Sequence, residues 1–340
     1  MGVVGSSPIG VAEVPSSRGL GHRPFTAVAR VRIPLGLLKQ NNEWYSYKMK
    51  FYYFGGYLGP EDGNNVSSIN NLEKNSFDGV LFTYNPYQGD FFTKIAKSLD
   101  LNQKIKYMIA IRPHTISAQY LCMINKSMNE IQKNRLQINL IAGHIKPNEI
   151  DFDGFVGEIT DYSSIKDRTN YLINYIEELS KMKKNEKIEI PDYYVSCTNI
   201  FSYEKATELK EKIILPYAVY KNNYFLDREI SGQTKPGAKL NISDQKIMLA
   251  IAPIIRETQE EIDTEFPQNK LIHTYGGGSY IDRERATTDT EYFTYREFCN
   301  FIKKIESENI SEVLLSGSPS KERPNMIQYI KKYIDENTTI

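Results

Sequence analysis

The sequence predicts an α/β fold in which eight short strands alternate with helices. Apolar runs too short for helices recur along the chain, each ended by Pro, Gly or polar residues, and indicate buried strands. Between them, apolar residues recur at intervals of three and four, as on one face of a helix. Such a chain forms either a closed (β/α)₈ barrel or an open, doubly wound sheet. No Gly-x-Gly-x-x-Gly follows the first strand, which favours the barrel.

Residues 104–143 contain the clearest strand–helix–strand unit. An apolar strand over 107–111 is stopped by Pro113, and the apolar residues of 121–131 then follow a helical spacing. A second apolar strand occupies 136–141. Strands joined by such a helix are parallel and are covered on both faces.

Six further strands complete the predicted set of eight. We place them at residues 51–54, 78–83, 193–195, 213–215, 246–255 and 312–315. Helices are predicted at residues 66–75, 91–99, 167–182 and 202–212, from 256 onward, at 295–308 and from the last strand to 333. Insertions interrupt the alternation after strands 4, 6 and 7, at residues 144–166, 221–245 and 267–295. Passages this long within a domain are often functional.

Composition limits the class of protein. The 340 residues carry a formal net charge of zero at pH 7, so no charge excess draws the chain to nucleic acid or to an anionic membrane. No apolar run approaches the length of a membrane span. Cys122, Cys197 and Cys299 are widely separated, which fits a reducing compartment and neither a disulfide framework nor a zinc site. We therefore expect a cytoplasmic protein with no nucleic-acid, membrane or metal partner.

Residues 1 to about 40 differ in composition from the rest. They are rich in Gly, Pro, Ser, Arg and Val, whereas the remainder is rich in Lys, Asn, Ile and Tyr. Such a shift marks a tail, a linker or a targeting segment such as an organellar transit peptide. Residues 30–34 also read as the translation of a transfer-RNA gene, so our preferred hypothesis is a misassigned start and a protein beginning at Met49. We divide the chain into a non-native or disordered extension, 1–48, and one barrel domain, 49–340.

The central unit resembles a known family. Arg-Pro at 112–113, a helix, Asn-Arg-Leu at 134–136 and Asn-Leu-Ile-Ala-Gly at 139–143 are similar to the bacterial luciferase-like flavin monooxygenases, nearest the alkanesulfonate monooxygenase branch. Arg-Glu-Thr at 256–258 and Ser-Gly-Ser-Pro at 316–319 resemble the same family. The resemblance implies a (β/α)₈ TIM barrel, FMN as cofactor in its reduced form, a separate flavin reductase, a small organic substrate and a homodimer.

Barrel enzymes carry their chemistry at the carboxyl ends of the strands, and this rule selects the candidate residues. We predict cofactor contacts from Thr83, Asn139, Gly143, Ser196 and Thr198, and catalytic roles for Arg112 and His114. His144 and Ser316 are further positions at this rim.

Each of these assignments has an alternative. Asn139 can donate and accept hydrogen bonds at once, as the flavin contact implied by the resemblance requires, or neighbouring backbone could satisfy it. The turn 196–199 could hold a phosphate or could only cap the next helix. Arg112 could bind a substrate anion or an internal carboxylate such as Asp90. His114 could titrate near neutrality in a site or lie on a surface loop.

The chain departs from the sulfonate branch in three places. The cysteine before the acid that follows strand two is replaced by Gln88 or Gly89, the Arg-x-His of strand seven by 250–252, and the final tyrosine by Ser318. Our leading prediction is an FMN-dependent monooxygenase of a small organic substrate. The alternatives are a deazaflavin-dependent oxidoreductase of the same superfamily and a degenerate barrel that binds flavin without turnover.

Overall fold

The structure is a computed structural model that describes residues 49–56, 66–83, 90–99, 104–143, 165–223, 225, 240, 245–266, 290–315 and 323–338. The strands are β1 (Lys50–Gly56), β2 (Gly79–Phe82), β3 (Lys106–Ile111), β4 (Leu136–Leu140), β5 (Asp192–Ser196), β6 (Ile213–Pro216), β7 (Ile247–Arg256), β8 (Thr290–Thr294) and β9 (Glu312–Leu315). The helices are α1 (Val66–Lys74), α2 (Phe91–Leu99), α3 (Ala118–Ile131), α4 (Ile165–Met182), α5 (Ile200–Glu208), α6 (Tyr217–Asn222), α7 (Gln259–Glu265), α8 (Tyr295–Ser307) and α9 (Arg323–Thr338). The described residues belong to one compact unit, Tyr47–Ile340, and the predicted extension 1–48 lies outside them.

Eight parallel strands close a barrel. Strands β1 to β6 pair in chain order, β6 pairs with β7, and β9 fills the gap between β7 and β1. The predicted (β/α)₈ barrel is therefore confirmed, and the open sheet is excluded because the first and last strands pair with each other. The strand that we predicted as the eighth is β9 in this numbering.

A ninth strand and one helix were not predicted. Strand β7 is ten residues long, and its second half continues past the barrel and pairs with β8. We had assigned residues 267–295 to an insertion, and the end of that passage forms β8. Helix α6 begins before the predicted insertion 221–245, in residues for which we made no prediction. Both elements are short, so their local sequence gives little signal.

The alternation of side chains along the strands divides the apolar residues into two cores. Every second residue points outward, into the layer between the strands and the helices. The others point into the barrel. This interior cluster consists of Tyr52, Leu81, Met108, Ala110, Tyr194, Ile214, Met248 and Leu314.

Charged residues close the amino-terminal end of the barrel. Glu312 is 1% exposed, and its carboxylate accepts hydrogen bonds from the Tyr194 hydroxyl at 2.5 Å and from Lys50 Nζ at 3.2 Å. Burial raises the pKa of Tyr194 far above its usual range, and the charge of Glu312 raises it further. Asp192 accepts from Gln137 at 2.8 Å and also from Lys212. Burial would raise the pKa of Asp192, but these two donors hold it below its usual value.

None of the described helices is long and apolar enough to cross a membrane.

The interior also depends on Gly79, at the start of β2. A Cβ at this position would lie 2.4 Å from ring atoms Cδ1 and Cε1 of Tyr52. We predict that Gly79→Ala lowers the free energy of unfolding by about 1–3 kcal/mol, because the packed ring has to shift. Urea denaturation measures this loss. In the double variant Gly79→Ala/Tyr52→Leu the clash with the tyrosine ring is absent, so the loss of free energy should be smaller than the sum of the two single losses. Simple additivity of the two losses would contradict the close contact with the ring.

Candidate functional site

Three neighbouring strands present small or polar side chains at one level inside the carboxyl-terminal half of the barrel. Phe82 pairs with Ile109, so Thr83 lies beside Ala110 in the next position of the same register. Ala110 in turn pairs with Asn139. Ala110 belongs to the interior cluster, and strand alternation turns Thr83 and Asn139 in the same direction. We call Thr83, Ala110 and Asn139 the rim patch.

The rim patch contains two polar atoms that no described residue of the chain satisfies with a hydrogen bond. Thr83 Oγ1 and Asn139 Oδ1 are both buried, and neither has a hydrogen-bond partner in the described part of the chain. Asn139 is 5% exposed. A buried acceptor without a partner costs about 1–3 kcal/mol, which a ligand at that position would recover. Other described residues also carry such atoms, Gln137 Oε1 and Thr207 Oγ1 among them, but these two do not lie in the carboxyl-terminal half of the barrel interior. Within the described part of the chain, no backbone group donates a hydrogen bond to the Asn139 oxygen.

Arg112 and Gly143 lie together at the ends of β3 and β4. Gly143 has a φ of +73°, a conformation that suits glycine. A Cβ there would lie 2.9 Å from Arg112 Cγ, so the absence of a side chain lets the arginine stem lie across the backbone. Arg112 is buried, at 7% exposure. Gly143, which we predicted as a cofactor contact, thus has a visible role in seating Arg112.

His114 lies in a short 3₁₀ helix, Pro113–Thr115, directly after β3. This turn is held by the Arg112 carbonyl, which accepts hydrogen bonds from Thr115 N at 2.9 Å and Thr115 Oγ1 at 2.7 Å. His114 is 1% exposed, so it does not lie on a surface loop. Its burial next to Arg112 in sequence places both predicted catalytic side chains at the carboxyl end of β3.

In the turn after β5, Asn199 caps the next helix, and Ser196 and Thr198 do not take part in the cap. Asn199 caps α5: its Oδ1 accepts from Ser202 N at 3.0 Å, and its Nδ2 donates to Thr169 Oγ1 at 3.1 Å. Ser196 is half-buried and follows Tyr194 in the inward alternation, whereas Thr198 is exposed. The capping alternative is therefore correct for Asn199, and the hydroxyls of Ser196 and Thr198 are not used in that cap.

Cys197 faces away from the interior, in the layer beneath the helices. It is fully buried, and burial raises the pKa of its thiol well above the usual range, so it is a neutral packing residue. Asp90 also has a structural role, because it accepts from Thr93 N and Thr93 Oγ1 at 2.7 Å at the start of α2. Among the described residues, no group of three or more His, Cys, Asp or Glu could hold a metal ion. His144 and Ser316 lie outside the described residues.

The Asn199–Thr169 bond was not predicted. Thirty residues separate the partners, so no local pattern links them. The bond ties α4 to the start of α5, beside the turn that we predicted to hold a phosphate. The capping role of Asn199 could have been read from its position immediately before a helix.

Several solved structures of known proteins share the fold of this chain. No protein-family model matches the sequence, and no curated protein matches it. Among solved structures, an F420-dependent secondary alcohol dehydrogenase with an F420-acetone adduct has a TM-score of 0.57 at 12% identity, over 85% of this chain and 98% of that chain. The EDTA monooxygenase of Chelativorans sp. BNC1 has a TM-score of 0.56 at 10% identity, over 85% and 94%.

A coenzyme F420-dependent tetrahydromethanopterin reductase from Methanopyrus kandleri is similar to the same extent. Its TM-score is 0.55 at 11% identity, over 85% of this chain and 99% of that chain. The chain shares their fold. At these identities the likeness concerns the path of the backbone and assigns no role to individual side chains.

Gly143→Ala tests the seating of Arg112. The added methyl group meets Arg112 Cγ, and alanine is strained at a φ of +73°. We predict a loss of about 1–3 kcal/mol in the free energy of unfolding, measured by urea denaturation. Relative to Arg112→Ala, the double variant Arg112→Ala/Gly143→Ala should lose only the part of this free energy that comes from backbone strain. If the double variant loses as much relative to Arg112→Ala as Gly143→Ala loses relative to the wild type, the contact is contradicted.

Proposed function

We propose that this protein is an FMN-dependent monooxygenase that acts on a small organic substrate and receives reduced flavin from a partner reductase. The observation that carries the proposal is the pair of buried acceptors in the rim patch, Thr83 Oγ1 and Asn139 Oδ1. They line the carboxyl end of a closed barrel, which is where barrel enzymes bind their ligands. The shared fold with an EDTA monooxygenase supports the reaction class.

The residues present fit a flavin in two respects. Buried acceptors suit the N–H groups of a ring that also has an apolar face, and Ala110 between them leaves room because it adds only a methyl group. Strands lie about 4.8 Å apart, so Thr83 and Asn139 are separated by about 10 Å, a span that a tricyclic ring can cover. We assign the ring contact to these two residues.

We assign the other candidate residues to the phosphate of the cofactor and to the substrate. We assign the phosphate to the hydroxyls of Ser196 and Thr198 beside the start of α5, where backbone N–H groups favour an anion. Gly143 acts through Arg112, and we assign Arg112 and His114 to the substrate. When bound, reduced FMN supplies the electrons for oxygen chemistry, and the barrel orients the reactants and limits access of water.

A deazaflavin-dependent oxidoreductase is the second candidate. The shared fold with two coenzyme F420-dependent enzymes favours it. The rim patch offers hydrogen bonds to a ring system and does not by itself select between a flavin and a deazaflavin.

Parallel titrations with FMN and with coenzyme F420 distinguish the two candidates. Tight binding of the deazaflavin alone would replace the monooxygenase proposal.

Asn139→Leu separates a binding role from a structural role. The Asn139 oxygen loses no partner within the described part of the chain, so we predict an unchanged or raised free energy of unfolding for the variant without ligand. The dissociation constant for FMN should rise by about tenfold or more, measured by fluorescence titration.

A second buried asparagine provides the matched control. Asn125 is 4% exposed, and its Nδ2 donates to the Glu189 carbonyl at 3.0 Å, away from the rim patch. Asn125→Leu should therefore lower the free energy of unfolding by about 1–3 kcal/mol and leave FMN affinity unchanged. If Asn139→Leu is destabilising to the same degree and does not affect FMN binding, the assigned ring contact is wrong.

Turnover is tested with the full chain, FMN, a flavin reductase and NADH. Oxygen-dependent conversion of a defined substrate from a panel of small organic compounds supports a monooxygenase. FMN binding without any product across such a panel would instead support a barrel that holds flavin without turnover.

A further inference from the structure

The barrel interior contains a layer of charged residues at its amino-terminal end. Side chains alternate along a strand, so a residue two positions before a member of the interior cluster also points inward. Four lysines and two acids occupy such positions in the described chain: Lys50, Lys106, Lys212, Lys246, Asp192 and Glu312. We call the four lysines the lysine ring. The layer therefore contains two more positive than negative side chains.

Glu312 is shared by two members of the lysine ring. Its Oε1 lies 3.2 Å from Lys50 Nζ and 3.6 Å from Lys246 Nζ, and its Oε2 accepts a hydrogen bond from the Tyr194 hydroxyl at 2.5 Å. One carboxylate neutralises one ammonium group. Because both ammonium groups converge on a single oxygen, they lie close together with one positive charge in excess.

Lys106 has no carboxylate partner within the described part of the chain. Lys212 is paired with Asp192, whereas Lys106 makes no ion pair with any residue that the structure describes. Lys106 is half-buried, and burial is the main reason that the pKa of its amine lies below the usual value. The charge of Asp192 raises this pKa, and the charges of Lys50 and Lys212 lower it further. Lys106 therefore supplies the second positive charge in excess.

A third acid at this end of the barrel does not remove the excess. Asp78 precedes β2, and its carboxylate accepts a hydrogen bond from Phe51 N at 3.0 Å. Charged residues at the amino-terminal end of a barrel usually serve stability, and that role accounts for the lysines that pair with Glu312 and Asp192. It does not account for Lys106, which faces like charges without an ion pair to any described residue.

We propose that the lysine ring binds inorganic phosphate at the amino-terminal end of the barrel. At pH 7 this ion carries about one to two negative charges, which match the excess of the layer. Its oxygens accept hydrogen bonds from several ammonium groups at once, and lysine is a common ligand of phosphate. The side chains of Lys50, Lys212 and Lys246 are 44%, 29% and 45% exposed, so the ion can reach them from solvent.

This site is separate from the phosphate position that we assign to the cofactor. Asp192 is the first residue of β5, and Ser196 is the last. Four steps of about 3.3 Å place them about 13 Å apart, at opposite ends of the barrel. Tyr194 and the rest of the interior cluster lie between the two ends. The proposal therefore does not depend on the cofactor or on catalysis.

Isothermal titration calorimetry of the full chain without flavin tests the site. Phosphate added at constant ionic strength should bind saturably at one site per chain, and chloride should not. Lys106→Met keeps the apolar stem and removes the charge, so the dissociation constant for phosphate should rise by at least about tenfold. Phosphate should also raise the urea midpoint of the wild type, and Lys106→Met should abolish that rise.

The fold itself should tolerate Lys106→Met. The substitution removes no ion pair to a described residue and relieves the repulsion from Lys50 and Lys212, so the urea midpoint in phosphate-free buffer should be unchanged or higher. Lys246→Gln is a second variant, in which Glu312 keeps Lys50 as its partner. Its dissociation constant for phosphate should rise by about threefold or more.

Lys184→Met is the matched control. Lys184 is exposed in the turn after α4, outside the lysine ring, so this variant should bind phosphate as the wild type does. Ser196→Ala/Thr198→Ala should also retain phosphate binding, because these hydroxyls lie at the other end of the barrel. Loss of binding in this double variant would place the ion in the cofactor site and overturn the proposal. Absence of saturable binding, the same response to chloride, or equal affinity of Lys106→Met and the wild type would overturn it as well.

Discussion

The pairing of the first strand with the last is the constraint on which the rest of the structure depends. Lys50 at the start of β1 is in register with Glu312 at the start of β9, and their side chains are joined by an ion pair of 3.2 Å. This pairing turns a row of strands into a ring. Once the ring is closed, every second side chain points into a confined space, and the size and polarity of those side chains decide where a ligand can enter.

Glu312 and Asp192 at the amino end of the barrel have partners, whereas two polar atoms at its carboxyl end have none in the described chain. At the amino end, the buried carboxylate of Glu312 contacts Tyr194 and Lys50, and half-buried Asp192 pairs with Lys212, so these acids have partners. At the carboxyl end, Thr83 Oγ1 and Asn139 Oδ1 are buried without partners in the described chain. Buried atoms without partners also occur elsewhere in the described chain, Gln137 Oε1 at the amino end among them. The functional assignment to the carboxyl end therefore also depends on the rule that barrel enzymes bind their ligands there.

Sequence reasoning succeeded where structure is set by neighbours in the chain. The strand of residues 107–111 and the helix that follows could be predicted, because an apolar run and a three-to-four spacing are local patterns. The position of Asn139 at a strand end could be predicted for the same reason. Strand β8 could not, since it depends on the extension of β7 past the barrel to give it a partner.

The sequence by itself determined the order of the strands and helices, the alternation that turns Asn139 inward and the apolar positions of α3, because these follow from periods of two and 3.6 residues. Only the tertiary structure decided that the sheet closes, that Gly143 lies under Arg112, and that the acceptors of Thr83 and Asn139 lie one strand to either side of Ala110. The physical reason is the distance along the chain. Residues as far apart as Lys50 and Glu312, 262 positions, meet only after all the intervening elements have packed, and no local pattern encodes that meeting.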